Sequence, residues 1–191
     1  IEVTFEQPAS IASIWSYGGI SKGSLVVEEP LSGEETQLTV PVDYNVMFRW
    51  NVVDTTLETD RLVLRTDGDV WLNELAFKDS EGNVLTPKTV TLLAAGEEVY
   101  GGNQAADLLF DEQELAPERP TAQNGMYFDE LYHGRTALEH LLGLTPYENS
   151  HPPLGKVFIM LGIALFGMTP FGWRFMGALF GVLMLPALYL L

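Results

Sequence analysis

The chain has 191 residues, no cysteine and a formal net charge of -16. This length allows one or two domains, the lack of cysteine excludes a disulfide framework and a thiolate metal site, and the charge disfavours nucleic-acid binding, which requires clustered Lys and Arg. The charge is uneven, because no Asp or Glu follows Glu148 and only Lys156 and Arg174 carry fixed charge beyond it. An acidic first part therefore precedes a nearly charge-free apolar part.

Residues 1–93 have the pattern of an all-β domain. Short runs rich in β-branched and aromatic residues alternate with turn residues, which is typical of strands in a sandwich or jelly roll. The predicted strands are residues 1–5, 24–28, 37–40, 46–50, 61–65, 70–77 and 89–93. The predicted turns are Gly18-Gly19, Ser32-Gly33, Asp67-Gly68 and Glu81-Gly82-Asn83. Because Asp-Gly between two strand-like runs favours a tight turn, Asp67-Gly68 predicts a hairpin.

Several segments of this first part resemble the galactose-binding-like, discoidin-type β-sandwich. They are Phe5-Glu6, Ile14, Tyr17-Gly18-Gly19, residues 71–77 and residues 79–83. The resemblance implies a jelly-roll sandwich and does not define a ligand. Two further roles stay open: sugar stacking or core packing for Trp15, Tyr17, Trp50 and Trp71, and calcium binding or simple solvation for Asp43, Asp67, Asp69 and Asp79.

A linker and a helix are predicted after the β-domain. Residues 94–125 contain Gly, Pro, Gln and many acids without sustained periodicity, and within them the apolar run Leu108-Leu109-Phe110 is a candidate to dock on a neighbouring surface. Residues 127–144 have apolar side chains at helical spacing, with Gly143 as the predicted stop. An irregular loop is predicted over residues 145–153.

Two apolar stretches end the chain. Residues 154–167 would form a helix of about 21 Å, which is shorter than the roughly 30 Å hydrocarbon core of a bilayer. We therefore expect an interfacial or re-entrant helix there, followed by a break over residues 168–173. Residues 175–191 are the predicted transmembrane helix, with Arg174 at its entrance. In that helix, Gly177 and Gly181 form a G-x-x-x-G pair that predicts close helix packing.

An acidic pair at the start of the predicted helix, Asp129-Glu130, is the main candidate for chemistry. Two interpretations without chemistry apply: negative charge is favoured at a helix N-terminus, and Asp129 could cap the helix. The catalytic interpretation is sugar transfer from a lipid phosphate to a hydroxyl, which needs a base for the hydroxyl proton and cations or donors for the departing phosphate. Asp129 is then the base, and the phosphate candidates nearby are His151, Lys156 and Arg174. Snorkelling at the membrane surface is the alternative role for the two cations.

The last third of the chain resembles the dolichyl- or polyprenyl-phosphate-mannose–protein O-mannosyltransferases, a family of the GT-C fold. The residues behind the resemblance are Asp129-Glu130, His133, the run from His151 to Lys156 and the run from Trp173 to Gly181. The resemblance covers residues 126–191. It implies a multi-spanning inverting enzyme of the cell membrane that moves mannose to Ser or Thr hydroxyls of a protein outside the cytoplasm.

The resemblance also implies roles for single residues. Asp129 matches the catalytic acidic residue of the family, and Glu130 lies beside it. His133, His151, Lys156 and Arg174 are assigned to the lipid phosphate. The donor is a polyprenyl- or dolichyl-phosphate mannose, and no cofactor and no metal are implied; a metal site of Asp129, His133 and His151 has no supporting spacing. The family has one transmembrane helix before this loop, so we expect a piece of a longer protein with the β-domain inserted outside the cytoplasm.

A second hypothesis is a membrane-tethered carbohydrate-binding module without catalysis. It is favoured if residues 1–93 bind sugars and if the acidic pair is buried and capped. A third hypothesis gives the β-domain only a spacer role, because a fold does not decide a function.

Overall fold

The computed structural model describes residues 1–29, 37–42, 46–94 and 105–191. The chain divides into two compact units, Ile1–Pro120 and Thr121–Leu191. The first is a β unit and the second is a helical unit, and each is described by itself below.

The β unit is built on an antiparallel sheet of long and short strands. The strands are β1 (Glu2–Gly18), β2 (Lys22–Glu28), β3 (Gln37–Val42), β4 (Trp50–Asp69), β5 (Leu72–Lys78) and β6 (Thr89–Thr91). Their order in the sheet is β3-β2-β4-β1-β5, and β6 pairs with β1. Strand β1 pairs with β4 along both of its halves, with β6 near its start and with β5 near its end.

The core of the β unit is mainly aliphatic, with a separate cluster around Trp15 and Trp50. Register shifts interrupt the β1–β4 pairing between Thr4 and Ala9 and again between Ile11 and Ser13, and such bulges bend and twist a strand pair. The residues enclosed in this way include Val3, Ile11, Ile14, Leu25, Val40, Leu62 and Phe77. This arrangement is compatible with a β-sandwich. The jelly-roll connectivity and the galactose-binding-like relationship stay predictions.

Two of the predicted β elements are wrong. Asp67-Gly68 does not turn a hairpin, because β4 continues to Asp69 and pairs there with β2, with Gly23 opposite Gly68. Gly68 has a positive φ of 85°, so glycine is needed for a kink inside a strand rather than for a turn. The predicted strand at residues 46–50 is wrong as well, because residues 46–49 form turns and one bridge, from Met47 to Gly18, and β4 begins only at Trp50. The predicted turn Ser32-Gly33 and the calcium candidate Asp43 lie outside the described residues.

The described end of the predicted linker packs on the β unit. A short 3₁₀ helix, Ala106–Phe110, places Leu109 and Phe110 against the aliphatic core, and the Phe110 ring stacks on Phe77 with centroids 5.5 Å apart. The Lys78 ammonium donates to the carbonyl oxygens of Ala116 and Pro117 at 3.0 and 2.8 Å. Residues 105–117 are therefore attached to the sheet by apolar and polar contacts.

The helical unit begins with α1 (Glu130–Leu141). Its C-terminus is closed by a Schellman motif, in which the Leu144 amide donates to the Glu139 carbonyl at 2.8 Å and the Gly143 amide to the His140 carbonyl at 3.2 Å. Gly143 has a φ of 70°, which is the conformation that favours glycine at this position. The predicted helix stop at Gly143 is confirmed.

Two apolar helices follow, α2 (Pro153–Phe166) and α3 (Pro170–Leu190). The break between them is shorter than predicted, because Pro170 and Gly172 lie in the first turn of α3, where Thr169 accepts from the Gly172 amide at 3.1 Å. Proline is tolerated there because the amide it lacks has no helical partner. Among the described residues, α3 is the one helix that is long and apolar enough to cross a membrane, and its outer surface is exposed.

The close approach of α2 and α3 uses a different glycine pair from the predicted one. A Cβ on Gly162 would lie 2.4 Å from the Gly172 carbonyl oxygen, whereas a Cβ on Gly177 or Gly181 would meet no described atom within 4 Å. Glycine is therefore required at Gly162, where the two backbones touch. The predicted packing role of Gly177 and Gly181 is not met by the described part of the chain.

Candidate functional site

The carboxylate of Asp129 is exposed and does not cap α1. Asp129 occupies the N-cap position with helical backbone angles (φ -65°, ψ -15°), and its side chain makes no capping hydrogen bond. Its carbonyl oxygen accepts from the Tyr132 and His133 amides, both at 3.1 Å. The capping explanation for this residue is therefore wrong, and the described residues leave both carboxylate oxygens available for other partners.

The residue before Asp129 has an unusual backbone. Phe128 has a φ of 49°, which is uncommon for any residue with a Cβ and is rare for a bulky side chain. The Phe128 side chain is 71% exposed, so packing of its own ring does not account for this conformation. Strained backbone of this kind is concentrated at functional sites. The Phe128 conformation directs the chain into α1 immediately before Asp129-Glu130.

Glu130 forms a two-pronged ion pair with Arg174. Arg174 Nε donates to Glu130 Oε1 and Arg174 Nη2 to Oε2, each at 2.6 Å. Parallel bonds of this type fix the geometry of a carboxylate as well as its charge. Oε2 also accepts from the Tyr127 amide at 3.1 Å and from Trp173 Nε1 at 3.3 Å. Glu130 thereby ties the start of α1 to the start of α3.

The guanidinium of Arg174 has backbone partners as well. Its Nη2 donates to the carbonyl oxygens of Ala122 and Gly125 at 2.6 and 3.0 Å. Nη1 makes no hydrogen bond with any described residue, so one edge of the guanidinium is still available to an anion. Burial acts to raise the pKa of Glu130, but the hydrogen bonds and charge of Arg174 outweigh it and hold that pKa below its ordinary value. Glu130 is therefore ionised at neutral pH.

A second cluster lies around Glu148 in the loop between α1 and α2. Its Oε2 accepts from the buried Lys156 ammonium, which also donates to the Glu148 carbonyl at 2.6 Å. Its Oε1 accepts from the amides of Ser150 and His151 at 2.5 and 3.1 Å. The Lys156 ammonium and the Ser150 and His151 donors all act to lower the pKa of Glu148.

Two histidines adjoin this carboxylate. His151 Nδ1 lies 3.2 Å from Glu148 Oε1, and the rings of His133 and His151 meet edge to face with centroids 5.1 Å apart. His133 is on α1, one helical turn after Asp129, and His151 precedes α2. The fold thus brings together two histidines that are 18 positions apart in the sequence.

The six predicted site residues fall into three groups. Glu130 is joined to Arg174, and His133, His151 and Lys156 lie around Glu148. Asp129 belongs to neither group and is exposed. The assignments of His133, His151, Lys156 and Arg174 to a lipid phosphate stay predictions. In the structure, the Lys156 ammonium binds the Glu148 carboxylate, and Nε and Nη2 of Arg174 bind the Glu130 carboxylate. Sequence reasoning missed Glu148 as a partner. The available signal was that Glu148 is the last acid of the chain and that Lys156 is the first fixed charge after it.

Two tryptophans of the β unit, Trp15 and Trp50, lie in its interior. Trp15 and Trp50 are each 5% exposed and pack with Ala76 and Ala116, and their ring centroids are 6.4 Å apart. The core interpretation of these two residues is confirmed. Stacking of Trp15 or Trp50 on a bound sugar is therefore excluded in this conformation.

A short segment of the chain is similar to known mannosyltransferases. Over 34 residues it is 59% identical to the polyprenol-phosphate-mannose–protein mannosyltransferases of two Mycobacterium tuberculosis strains, CDC 1551 / Oshkosh and ATCC 25618 / H37Rv. The match covers 18% of this chain and 6% of each relative, so the similarity is local. No protein-family profile and no solved structure matches the chain.

Proposed function

We propose that the chain is part of a membrane glycosyltransferase that moves mannose from a polyprenyl-phosphate carrier to a Ser or Thr hydroxyl of a protein on the outer side of the membrane. The observation that carries the proposal is the exposed, uncapped carboxylate of Asp129 beside an ion-paired Glu130 at the base of an apolar helix. The local similarity to mannosyltransferases supports the same class. The GT-C fold, the multi-spanning topology and inversion at the sugar belong to this proposal.

Asp129 acts as the general base. It takes the proton of the acceptor hydroxyl while the hydroxyl oxygen forms a bond to C1 of mannose, and the bond from C1 to the phosphate oxygen breaks. The polyprenyl phosphate leaves with the electron pair of that bond. An exposed carboxylate without a partner suits this role, because no existing hydrogen bond has to break before the proton is taken.

Glu130 is a positioning residue for the acceptor or the sugar, and Arg174 holds it. The free Nη1 edge of Arg174 and the imidazoles of His133 and His151 stabilise the departing phosphate. The buried Lys156 shapes the loop that carries His151 through its pair with Glu148. In this proposal Lys156 and most of the Arg174 guanidinium bind carboxylates. Nη1 of Arg174 and the two imidazoles are the donors that bind the phosphate.

The test replaces Asp129 by Asn in the full gene product, in membranes supplied with polyprenyl-phosphate mannose and a Ser/Thr-rich acceptor peptide. Asp129→Asn removes the base and keeps the shape, so transfer should fall by at least about a hundredfold, with unchanged expression and thermal stability. Asp107→Asn, at an acid outside the helical unit, is the matched control. Undiminished transfer by Asp129→Asn removes Asp129 from the mechanism.

A binding module without catalysis remains the competing function. It predicts that the gene product binds mannose-containing glycans and transfers nothing, whatever residue stands at position 129. The exposure of Asp129 and the burial of Trp15 and Trp50 both favour the enzyme over this alternative.

A further inference from the structure

The side chains of His133, Glu148 and His151 form a cluster of metal-ligand type. One ligand atom from each lies within 4.8 Å of the other two. Two imidazoles and one carboxylate are a ligand set that zinc accepts, with a fourth position left for water or another oxygen. We propose that these three residues bind a divalent transition ion of the zinc type. The inference does not rest on the proposed transferase activity.

The distances support this ligand set. Zinc held at about 2.0–2.1 Å in a tetrahedron places its ligand atoms roughly 3.3 Å apart. His151 Nδ1 and Glu148 Oε1 are already 3.2 Å apart, so this pair has the separation that the ion requires. Since no separation exceeds 4.8 Å, the widest pair has to close by at most about 1.5 Å. The His151 side chain is 63% exposed and has the freedom to rotate.

The surroundings hold the carboxylate in place. Lys156 binds Oε2 of Glu148, and the Ser150 and His151 amides bind Oε1. Ligands of metal sites are commonly oriented by such outer partners. The Lys156 ammonium also repels a dication, so we expect an affinity below that of structural zinc sites. The Ser150 hydroxyl contacts both Glu148 Oε1 and His151 Nδ1 and is displaced or reoriented when the ion enters.

The composition of the chain makes the site easy to test. It has three histidines and no cysteine, so a site that needs imidazole can use only His133, His140 and His151. His140 lies on α1 near its C-terminus, seven residues after His133, and is the matched control. The titration uses the 191-residue chain in detergent without an affinity tag, since a polyhistidine tag would bind the same ions.

Zn²⁺ is measured by calorimetry and Co²⁺ by the visible absorption of its tetrahedral complexes. We expect one ion per chain, weakening by at least about tenfold in each of His133→Gln, His151→Gln and Glu148→Gln, and no change in His140→Gln. Far-ultraviolet circular dichroism of each variant shows that the helices are retained.

Two results overturn the proposal. One is Zn²⁺ binding that is as strong in the His133→Gln/His151→Gln double variant as in the parent chain, which places the ion elsewhere on an acidic protein. The other is no Zn²⁺ or Co²⁺ binding by the folded parent chain at pH 7.5. The Asp129→Asn transfer experiment is independent of both, so either inference can fail without the other.

Discussion

Glu130 and Arg174 are 44 positions apart and are joined by two parallel hydrogen bonds of 2.6 Å. This pair connects the first turn of α1 to the first turn of the apolar helix α3. The side chain of the neighbouring Asp129, in contrast, has no partner among the described residues. One adjacent pair of acids is thereby divided into a structural carboxylate and an available one.

Arg174→Lys tests whether the two-pronged geometry matters beyond charge. A lysine keeps one positive charge but cannot make two parallel bonds or reach the Ala122 and Gly125 carbonyls at the same time. Under the proposed function, transfer falls by about 10–100-fold, because a small displacement of the positioning carboxylate is costly.

The measurement is the initial rate of mannose transfer by the full gene product in membranes. Arg61→Lys is the control, since Arg61 pairs with Glu2 at an exposed site, where ion pairs contribute little. An equal rate in Arg174→Lys and the parent protein would show that charge alone is sufficient at this position.

Glu74 makes the β unit less stable as the pH rises. It is 5% exposed, and burial raises its pKa to about 8, with the nearby Asp111 and Glu112 charges adding to the shift. The folded unit holds this proton up to about pH 8, while the unfolded chain releases it near pH 4.3. Because the folded state binds more protons in this window, stability decreases from about pH 4.5 to 8.

We therefore expect the thermal midpoint of the β unit to fall between pH 5 and pH 8 and the fall to be smaller in Glu74→Gln. Gln keeps the oxygen that accepts from the Glu112 amide and carries no charge. Near-ultraviolet circular dichroism of the buried Trp15 and Trp50 follows this unit. Glu58→Gln, at an exposed strand position, should leave the slope unchanged; the same pH slope in Glu74→Gln and the parent chain would assign the effect to other groups.

Lys156→Met leaves Glu148 without its cation. Lys156 is 3% exposed and donates to both the carboxylate and the carbonyl of Glu148. Methionine fills a similar volume, so the main change is an unpaired carboxylate, which is costly when one partner of a buried pair is removed. The thermal midpoint of the helical unit should fall by several degrees, while Lys22→Met at an exposed strand position should not change it.

A double variant separates the ion pair from packing. Removing both charges in Lys156→Met/Glu148→Gln should recover part of the lost stability, because no unpaired charge remains. If the Lys156→Met variant unfolds at the same temperature as the parent chain, the Lys156–Glu148 pair contributes nothing to the thermal stability of the helical unit.

The sequence was sufficient for elements that depend on local chemistry. Gly143 ends α1 as predicted, and β2 ends at Glu28 as predicted, although its first two residues were missed. It was insufficient where long-range pairing overrides a local signal: Asp67-Gly68 has the composition of a turn, but pairing with β2 keeps it inside β4. The periodicity of residues 61–65 and 50–57 does not reveal that they form one strand.

The candidate site divides in the same way. Asp129, Glu130 and Arg174 were chosen as site residues from their order and residue types, and that choice stays a prediction, but the partners of these side chains could not be read from the sequence. Glu130 rather than Asp129 binds Arg174, and Lys156 binds Glu148, which had no assigned role. Ion-pair choice depends on which side chains the helix crossing brings within 3 Å, and that distance is not encoded in residue spacing.

Gly162→Ala tests the contact between α2 and α3. The added Cβ would lie 2.4 Å from the Gly172 carbonyl oxygen, so the two helices have to move apart, at a cost of about 1–3 kcal/mol for overpacking. In an exposed helix the same change is favourable by roughly 1 kcal/mol, because alanine has a higher helix propensity than glycine.

Gly177→Ala and Gly181→Ala are the controls for this prediction, since a Cβ at either position meets no described atom within 4 Å. Thermal unfolding of the chain in detergent should show a lower midpoint for Gly162→Ala and an equal or higher midpoint for the two controls. A Gly162→Ala variant as stable as Gly177→Ala would mean that α2 and α3 do not pack through Gly162 and Gly172.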